Sequence, residues 1–514
     1  MATKSDDRSR FIWKAQPENA HSFTRDLTNT ERMFVILNRN LYGQNCPFIG
    51  ASFSIRNKRL SGQSHIFDIT ELRKRAVQAF CQTRWRYPTV AARVSGDNKA
   101  LYNIPGENEV QKWPERTVTV VSADGGWLAL REQLSRDVPL PSSDGDFCVL
   151  YLIVKPGDGA GANITNFDIL MHIHHVFVDG SGIRTILNEF ISRLANPLPL
   201  DELHWGEEVN RLLPPSTLLV NPDQMILESK DAGSDSSTDF FLKPQPDIGL
   251  PLYKPEIGPP DSSNKGTRLI SHTFKPEFLP ALLAIGRTHG AKLAAMLHAA
   301  LLQAVYEIRG IVPEPEDMFK SRSAMDLRNG WMQPPYNENR QYVNSAVVIQ
   351  SIEVPCHLFS ERNSFWEAAR YIAQIWDVAR KKKGMVATIE SEAAAFLDAK
   401  KRASSAPSAT MQRTCPYFVS DPPGSQLLDS SHPVSGHENL QLVLESYQLA
   451  TDQNQAIVSA RSHSFHDKLT LCLVFNAARN PREKMQEFLE TWVDVLKVAC
   501  ADEGGINGIS RVKG

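Results

Sequence analysis

Between residues 195 and 265 proline recurs eleven times, at 197, 199, 214, 215, 222, 244, 246, 251, 255, 259 and 260, with Ser/Asp-rich stretches at 229–238 and 261–264. Proline removes a main-chain donor and fixes φ, so neither a long helix nor an interior strand tolerates that density. The stretch therefore divides the 514-residue chain, and each flank is long enough to bury a core of its own. The expected organisation is an N-terminal domain over 1–200, a crossover over 201–265 and a C-terminal domain over 266–514. An irregular crossover of this length serves either as a functional lid or merely as a solvated insertion.

Both flanks carry interleaved helix and strand signals. After a loose tail of about a dozen residues, Thr28 and Glu31 spell a capping box ahead of Met33, Phe34, Ile36 and Leu37, which predicts a helix to Asn40. Phe48–Ile55 alternates as a strand. Residues 68–83 set Leu72, Ala76, Val77 and Phe80 on one helical face behind a cap at Asp68 or Thr70. Strands are expected at 117–121, 147–154 and 169–173, and helices at 126–135 and 180–194. Beyond the crossover come a strand at 269–274, helices at 276–288 and 291–308, strands at 342–352, 440–449 and 468–475, and a closing helix at 482–499. The 291–308 helix is apolar on nearly all sides and should lie between layers. The fold class is α/β, each half a mixed sheet flanked by helices.

Composition narrows function by exclusion. With 42% hydrophobic and 22% charged residues the chain can offset its ordering entropy and is not disordered. Lys+Arg at 56 against Asp+Glu at 58 gives a net charge of −2, so neither nucleic acid nor an anionic membrane is expected as a partner. No run approaches the length of a membrane span, the N-terminus has no apolar leader core, and Arg511-Val512-Lys513-Gly514 is not a peroxisomal ending. A cytoplasmic monomer is expected. Seven cysteines stand singly at 46, 81, 148, 356, 415, 472 and 500, which suits reduced thiols acting as small core residues.

Chemistry concentrates in Met171-His172-Ile173-His174-His175-Val176-Phe177-Val178-Asp179-Gly180-Ser181-Gly182. At this composition His-His-x-x-x-Asp-Gly arises by accident about 0.002 times per chain, treating positions as independent. The segment leaves an apolar strand and enters a helix through a turn. On a strand His172 and His174 would share one face, and Ile173 and His175 the other. A histidine fixed at a strand end, one ring nitrogen held and the other facing a cleft, makes a general base. Asp179 suits a structural anchor if an arginine pairs with it, and Gly180 leaves room for the bend. A metal site is disfavoured, because His174 and His175 diverge and the spacing matches no zinc pattern. A serine triad is disfavoured because no G-x-S-x-G elbow occurs. The reading as satisfied core histidines is kept for His172 and mostly for His174, and dropped for His175.

This motif resembles the signature of the acyltransferase superfamily that includes chloramphenicol acetyltransferase, the plant BAHD acyltransferases and nonribosomal peptide condensation domains. Tyr87-Pro88-x-x-x-x-Arg93, Ala324-Met325-Asp326-Leu327-Arg328, Tyr342-Val343-Asn344 and Val419-Ser420-Asp421 are similar to further family segments, with Val343 where many members have Gly. The plant Asp-Phe-Gly-Trp-Gly motif is absent. Length, tail and Asp326-Leu327-Arg328-Asn329-Gly330 look most like the fungal trichothecene 15-O-acetyltransferases.

The resemblance implies two chloramphenicol-acetyltransferase-like domains with an active-site channel between them. It implies acetyl-CoA as co-substrate, no tightly bound cofactor, and a small-molecule alcohol as acceptor, such as a trichothecene C-15 hydroxyl. His175 would be the base and Asp179 its catalytic-motif partner, with His174, Gly180 and Arg328 structural. An Asp179–Arg328 ion pair across the domain boundary would lock the turn. Asn344 and Ser420 are candidates for oxyanion or substrate binding. The competing expectations are a condensation-like protein without acyl transfer (a cyclase, carrier-protein partner or small-molecule binder), and a transferase using a longer acyl-CoA or an amine acceptor.

Overall fold

The computed structural model describes residues 8–41, 43–57, 67–137, 140–157, 164–226, 249–251, 266–308, 314, 316–338, 340–360, 365–402, 413–437 and 439–501. By proximity the chain forms two compact units. One comprises Met1–Asn221, Leu327–Ala346 and Ser425–Asp452; the other comprises Pro222–Asp326, Val347–Gly424 and Gln453–Gly514. Neither is continuous, whereas the division read from the sequence ran in consecutive stretches.

The first unit is built on a six-stranded sheet. Its spatial order is Ser431–Pro433, Leu440–Thr451, Pro47–Asn57, Asn166–Ile173, Cys148–Val154 and Val118–Ser122. All neighbours are antiparallel except the last pair. The strand Pro47–Asn57 sits between a partner from its own half of the sequence and one from residues 440–451, and it is buried on both faces through Ala51. The helices Asn29–Asn40, Ile69–Arg86, Glu107–Thr117, Gly126–Asp137 and Gly180–Ala195 belong to the same unit. A smaller sheet joins Lys14–Gln16, Asn19–Asp26, Lys99–Asn103 and Arg93–Val94.

Local chemistry sets the helix starts. Thr28 and Glu31 form the reciprocal capping box, and Asp68 accepts from the Glu71 amide. The expected loose tail is partly ordered: Arg8–Phe11 is a short 3-10 turn, and the Trp13 indole donates to the Leu213 carbonyl at 3.0 Å; residues 1–7 lie outside the described part. The start of the crossover also packs. Short 3-10 turns at Glu207–Arg211 and Ser216–Leu218 lead to a β-bridge between Val220 and Met332. Of the rest of the crossover, 227–248 and 252–265 lie outside the described residues.

The second unit has its own six-stranded sheet, ordered Thr267–Thr273, Lys468–Asn476, Ser459–Phe465, Tyr417–Ser420, Met318–Asp326 and Val347–Pro355. Its core joins the inward faces of these strands to the helices Phe278–Thr288, Leu293–Ile308, Phe365–Lys381 and Arg482–Ala501. Leu293–Ile308 lies between helical neighbours as its all-round apolar surface requires, and Trp492 donates its indole N–H to the Leu297 carbonyl at 3.0 Å. All seven cysteines are buried. Among the described residues no helix is long and apolar enough to cross a membrane.

One expected strand is displaced. Residues 342–352 read as a single strand, but the strand is Val347–Pro355 and residues 342–346 belong to the first unit. The reason is local: Arg328 takes the Tyr342 and Asn344 carbonyls at 2.8 and 2.7 Å, and Asn344 bridges to Val178.

Candidate active site

The strand Asn166–Ile173 carries the motif to the sheet's end, and there its histidines diverge. His172 is still in the ladder, opposite Phe48. It is buried, its Nε2 lies 2.9 Å from Asp452 Oδ2, and Asp452 also pairs with Arg131. Burial, and then the positive Arg131, push the imidazole well below its ordinary range, so His172 is a neutral core residue.

The strand ends at Ile173, so its face alternation stops before the paired histidines. His174 and His175 stand in the following turn, where the Phe177 amide returns to the His174 carbonyl at 3.4 Å. The His174 amide donates to the Phe147 carbonyl at 2.8 Å, and His174 Nδ1 accepts the Val176 amide at 3.1 Å. An accepting Nδ1 leaves the proton on Nε2. Burial, helped by the adjacent His175, lowers the His174 pKa to about 3, so the ring stays neutral and staples the turn.

His175 differs in being only half-buried. Its ring lies flat on Phe34, with centroids 4.1 Å apart and an interplanar angle of 12°. Its main chain hydrogen-bonds the Cys46 sulfur, which also receives the Asn38 amide Nδ2 at 2.9 Å. Burial raises the Cys46 thiol to about 12, which makes it an inert brace rather than a nucleophile.

Asp179 is the N-cap of helix Gly180–Ala195. Oδ1 accepts the Ser181 and Gly182 amides at 3.1 and 2.9 Å, and Oδ2 accepts the Ala346 amide at 2.8 Å. Arg328 donates to both oxygens, at 3.0 and 3.1 Å. Burial alone would raise this carboxyl, but Arg328 and the amides hold it below the usual carboxylate value. The expected Asp179–Arg328 pair is therefore present. It is buried rather than a solvated surface charge, and it lies within the first unit. Gly330, with φ of 100°, closes the Arg328-Asn329-Gly330 turn as a glycine can.

Gly180 stands in the first helical turn and not in the left-handed region. The glycine that packing demands is Gly182, where a Cβ would overlap the Val343 carbonyl. Asn344 is 4% exposed. Its side-chain oxygen accepts the Thr89 hydroxyl at 2.8 Å and its Nδ2 donates to the Leu213 carbonyl at 3.0 Å. Arg93 of the Tyr87-Pro88 segment donates to Asp146 at 2.6 Å. Ser420 belongs to the second unit, at the end of strand Tyr417–Ser420, where it accepts the Ser462 hydroxyl at 3.3 Å beside the Asp421–Arg461 pair.

The structure thus brings His174, His175, Asp179, Gly180, Arg328 and Asn344 together in one unit. Phe34, Asn38, Cys46, Gly182 and Ala346 join them without having been singled out in the sequence. Gly182 was within the quoted motif and could have been flagged. The others touch it from far along the chain. Among the described residues no group of three or more His, Cys, Asp or Glu side chains converges as a metal site.

A family model described as 15-O-acetyltransferase Tri3 matches residues 8–357. The chain is 19% identical over 531 aligned positions to the trichothecene 15-O-acetyltransferase TRI3 of Fusarium sporotrichioides, covering 95% of this chain and 96% of that protein. It is 21% identical to the trichothecene O-acetyltransferase TRI3 of Trichoderma arundinaceum, over 82% and 84% of the two chains. The solved structure of the Fusarium sporotrichioides TRI3 trichothecene 15-O-acetyltransferase superposes with a TM-score of 0.80 at 17% identity, over 96% of this chain and 98% of that one. The fold is the two-domain chloramphenicol-acetyltransferase-like fold that the motif implied.

Proposed function

The chain belongs to the Tri3 15-O-acetyltransferase family and is an acyltransferase, and from that premise we propose that it transfers acetyl from acetyl-CoA to the C-15 hydroxyl of a trichothecene, with His175 as general base. The observation that carries this reading is the contrast among the three histidines. His172 and His174 are held neutral by burial and have their ring nitrogens committed to Asp452 and to the Val176 amide, whereas His175 is half-buried on a clamped main chain.

In the proposed reaction the hydroxyl oxygen attacks the thioester carbonyl while His175 accepts its proton, giving a tetrahedral oxyanion. Collapse breaks the carbon–sulfur bond, and the imidazolium returns the proton to the departing thiolate. The products are the acetyl ester and CoA thiol, and no acyl-enzyme is needed. Asp179 and Arg328 act as positioning residues: all five donors on the carboxylate fix the helix start and the chain that follows His175. Asn344, tied to Thr89 and Leu213, extends the same brace.

The test measures CoA-thiol release with acetyl-CoA and a 15-hydroxy trichothecene, with the product followed by mass spectrometry. His175→Ala should lower the rate by about 10²–10⁴-fold while the protein stays folded. Equal release by the wild type and His175→Ala would remove His175 from the mechanism. Absence of any release by the wild type across a panel of hydroxylated acceptors would remove acetyl transfer itself.

A further inference from the structure

We propose that helix Asn29–Asn40 is the platform that aims the reactive imidazole, with Phe34 as a positioning residue for His175. The inference rests on the general-base reading of His175 and extends it.

The argument starts at the helix's anchor. The Thr28 hydroxyl accepts the Glu31 amide at 3.3 Å, and the Glu31 carboxylate accepts the Thr28 amide at 2.9 Å. Arg25 then clamps Glu31 with two bonds of 2.8 and 2.6 Å, all of it buried. A helix fixed this way at its first turn presents later residues at set heights. Phe34 and Asn38, four positions apart, fall one above the other on one face. Phe34 offers its ring plane to His175, and Asn38 reaches Cys46, whose sulfur meets the His175 main chain. One helix face therefore grips both the side chain and the backbone of a single residue about 140 positions away in sequence.

The geometry is specific to aiming. A ring stacked at 4.1 Å and 12° opposes tilting of the imidazole out of the plane parallel to Phe34, so its nitrogens point within one plane. General-base transfer needs that plane to contain the incoming proton, and misplacement by about 1 Å loses up to about 10²-fold in rate. Phe34 is itself buried, so its ring serves as a wall and not as a surface for substrate.

The experiment uses the full-length chain with Phe34→Leu and Phe34→Tyr. Leu keeps an apolar side chain and removes the flat face; Tyr keeps the face. Phe34→Leu should lower kcat about tenfold per folded molecule, with KM for acetyl-CoA and for the acceptor within about twofold, and Phe34→Tyr should keep most of the rate. The spectroscopic partner is the imidazole Cε1–H resonance of His175 in protein labelled at histidine, assigned by its loss in His175→Ala. It should carry a ring-current shift that Phe34→Leu abolishes and Phe34→Tyr keeps. A folded Phe34→Leu with wild-type kcat, or with an unmoved His175 resonance, would overturn the proposal. If His175→Ala is inactive while Phe34→Leu is fully active, only this inference fails. If His175→Ala is itself fully active, the base assignment fails first.

Discussion

Asp179 accepts five N–H donors, and that number decides its part. A carboxylate whose lone pairs are filled by Ser181, Gly182, Ala346 and both arms of Arg328 has no capacity left to relay a proton. Its effect is on geometry and stability. Its folded pKa lies below the ordinary 3.8, so its contribution is fully present above that unfolded value and is lost as pH falls through the lower folded one. Asp179→Ala leaves Arg328 buried without its carboxylate and should cost about 3–5 kcal/mol. Urea midpoints measured between about pH 2 and pH 7 should show a shallower acid limb in Asp179→Asn than in the wild type. An identical acid limb would mean the pair does not feed into stability. The pairing itself was legible as a requirement, since an aspartate in a buried motif needs a cation. The choice of Arg328 followed from the resemblance alone, because spacing cannot bring together residues 149 positions apart. The Asn38–Cys46–His175 chain had no legible signal, because a buried cysteine reads as packing whichever backbone it touches.

At the scale of elements, the helix Gly180–Ala195 approaches residue 343 so closely that only hydrogen fits at position 182. Gly182→Ala should push the helix start off the Val343 carbonyl, destabilise by about 1–3 kcal/mol and lower kcat together with Tm. Thermal unfolding and turnover of one preparation would check this, and an unchanged Tm would show that the contact yields freely. Strong periodicity made most elements readable. The capped helix from Asn29, the strand Cys148–Val154 and the closing helix Arg482–Ala501 fall within two or three residues of expectation. The failures have particular causes. Helix Glu107–Thr117 was not anticipated, because Val110 and Trp113 are its main apolar residues and Pro114 sits inside it. Residues 342–346 carry a strand's pattern, yet the Tyr342 and Asn344 carbonyls serve a guanidinium and only an isolated bridge to Val178 forms. The end of the strand at Ile173 matches expectation, but the face alternation read for His174 and His175 does not apply, because both stand in the turn beyond it.

At the scale of the molecule, neither unit is a single stretch of sequence. Hydrophobic periodicity reports that a segment is a strand and not which sheet receives it, so Leu440–Thr451 was readable as an element and unreadable as the neighbour of Pro47–Asn57. That insertion carries chemistry, because Asp452 at its end meets Arg131 and His172. A fragment ending at residue 221 would leave the edge of Pro47–Asn57 unpaired and Arg131 without its carboxylate. Such a fragment should aggregate or fail to unfold cooperatively, and co-expression with the remaining residues should restore soluble protein. A soluble, cooperatively folded fragment 1–221 would show that the first unit needs neither insertion. The same topology has a consequence during synthesis. A nascent polypeptide that has emerged only as far as Asp326 already exposes every histidine of the motif, but the guanidinium that locks Asp179 has yet to leave the ribosome. The reactive loop is therefore finished late in translation, and a truncated product would carry its signature in full while never acquiring its shape.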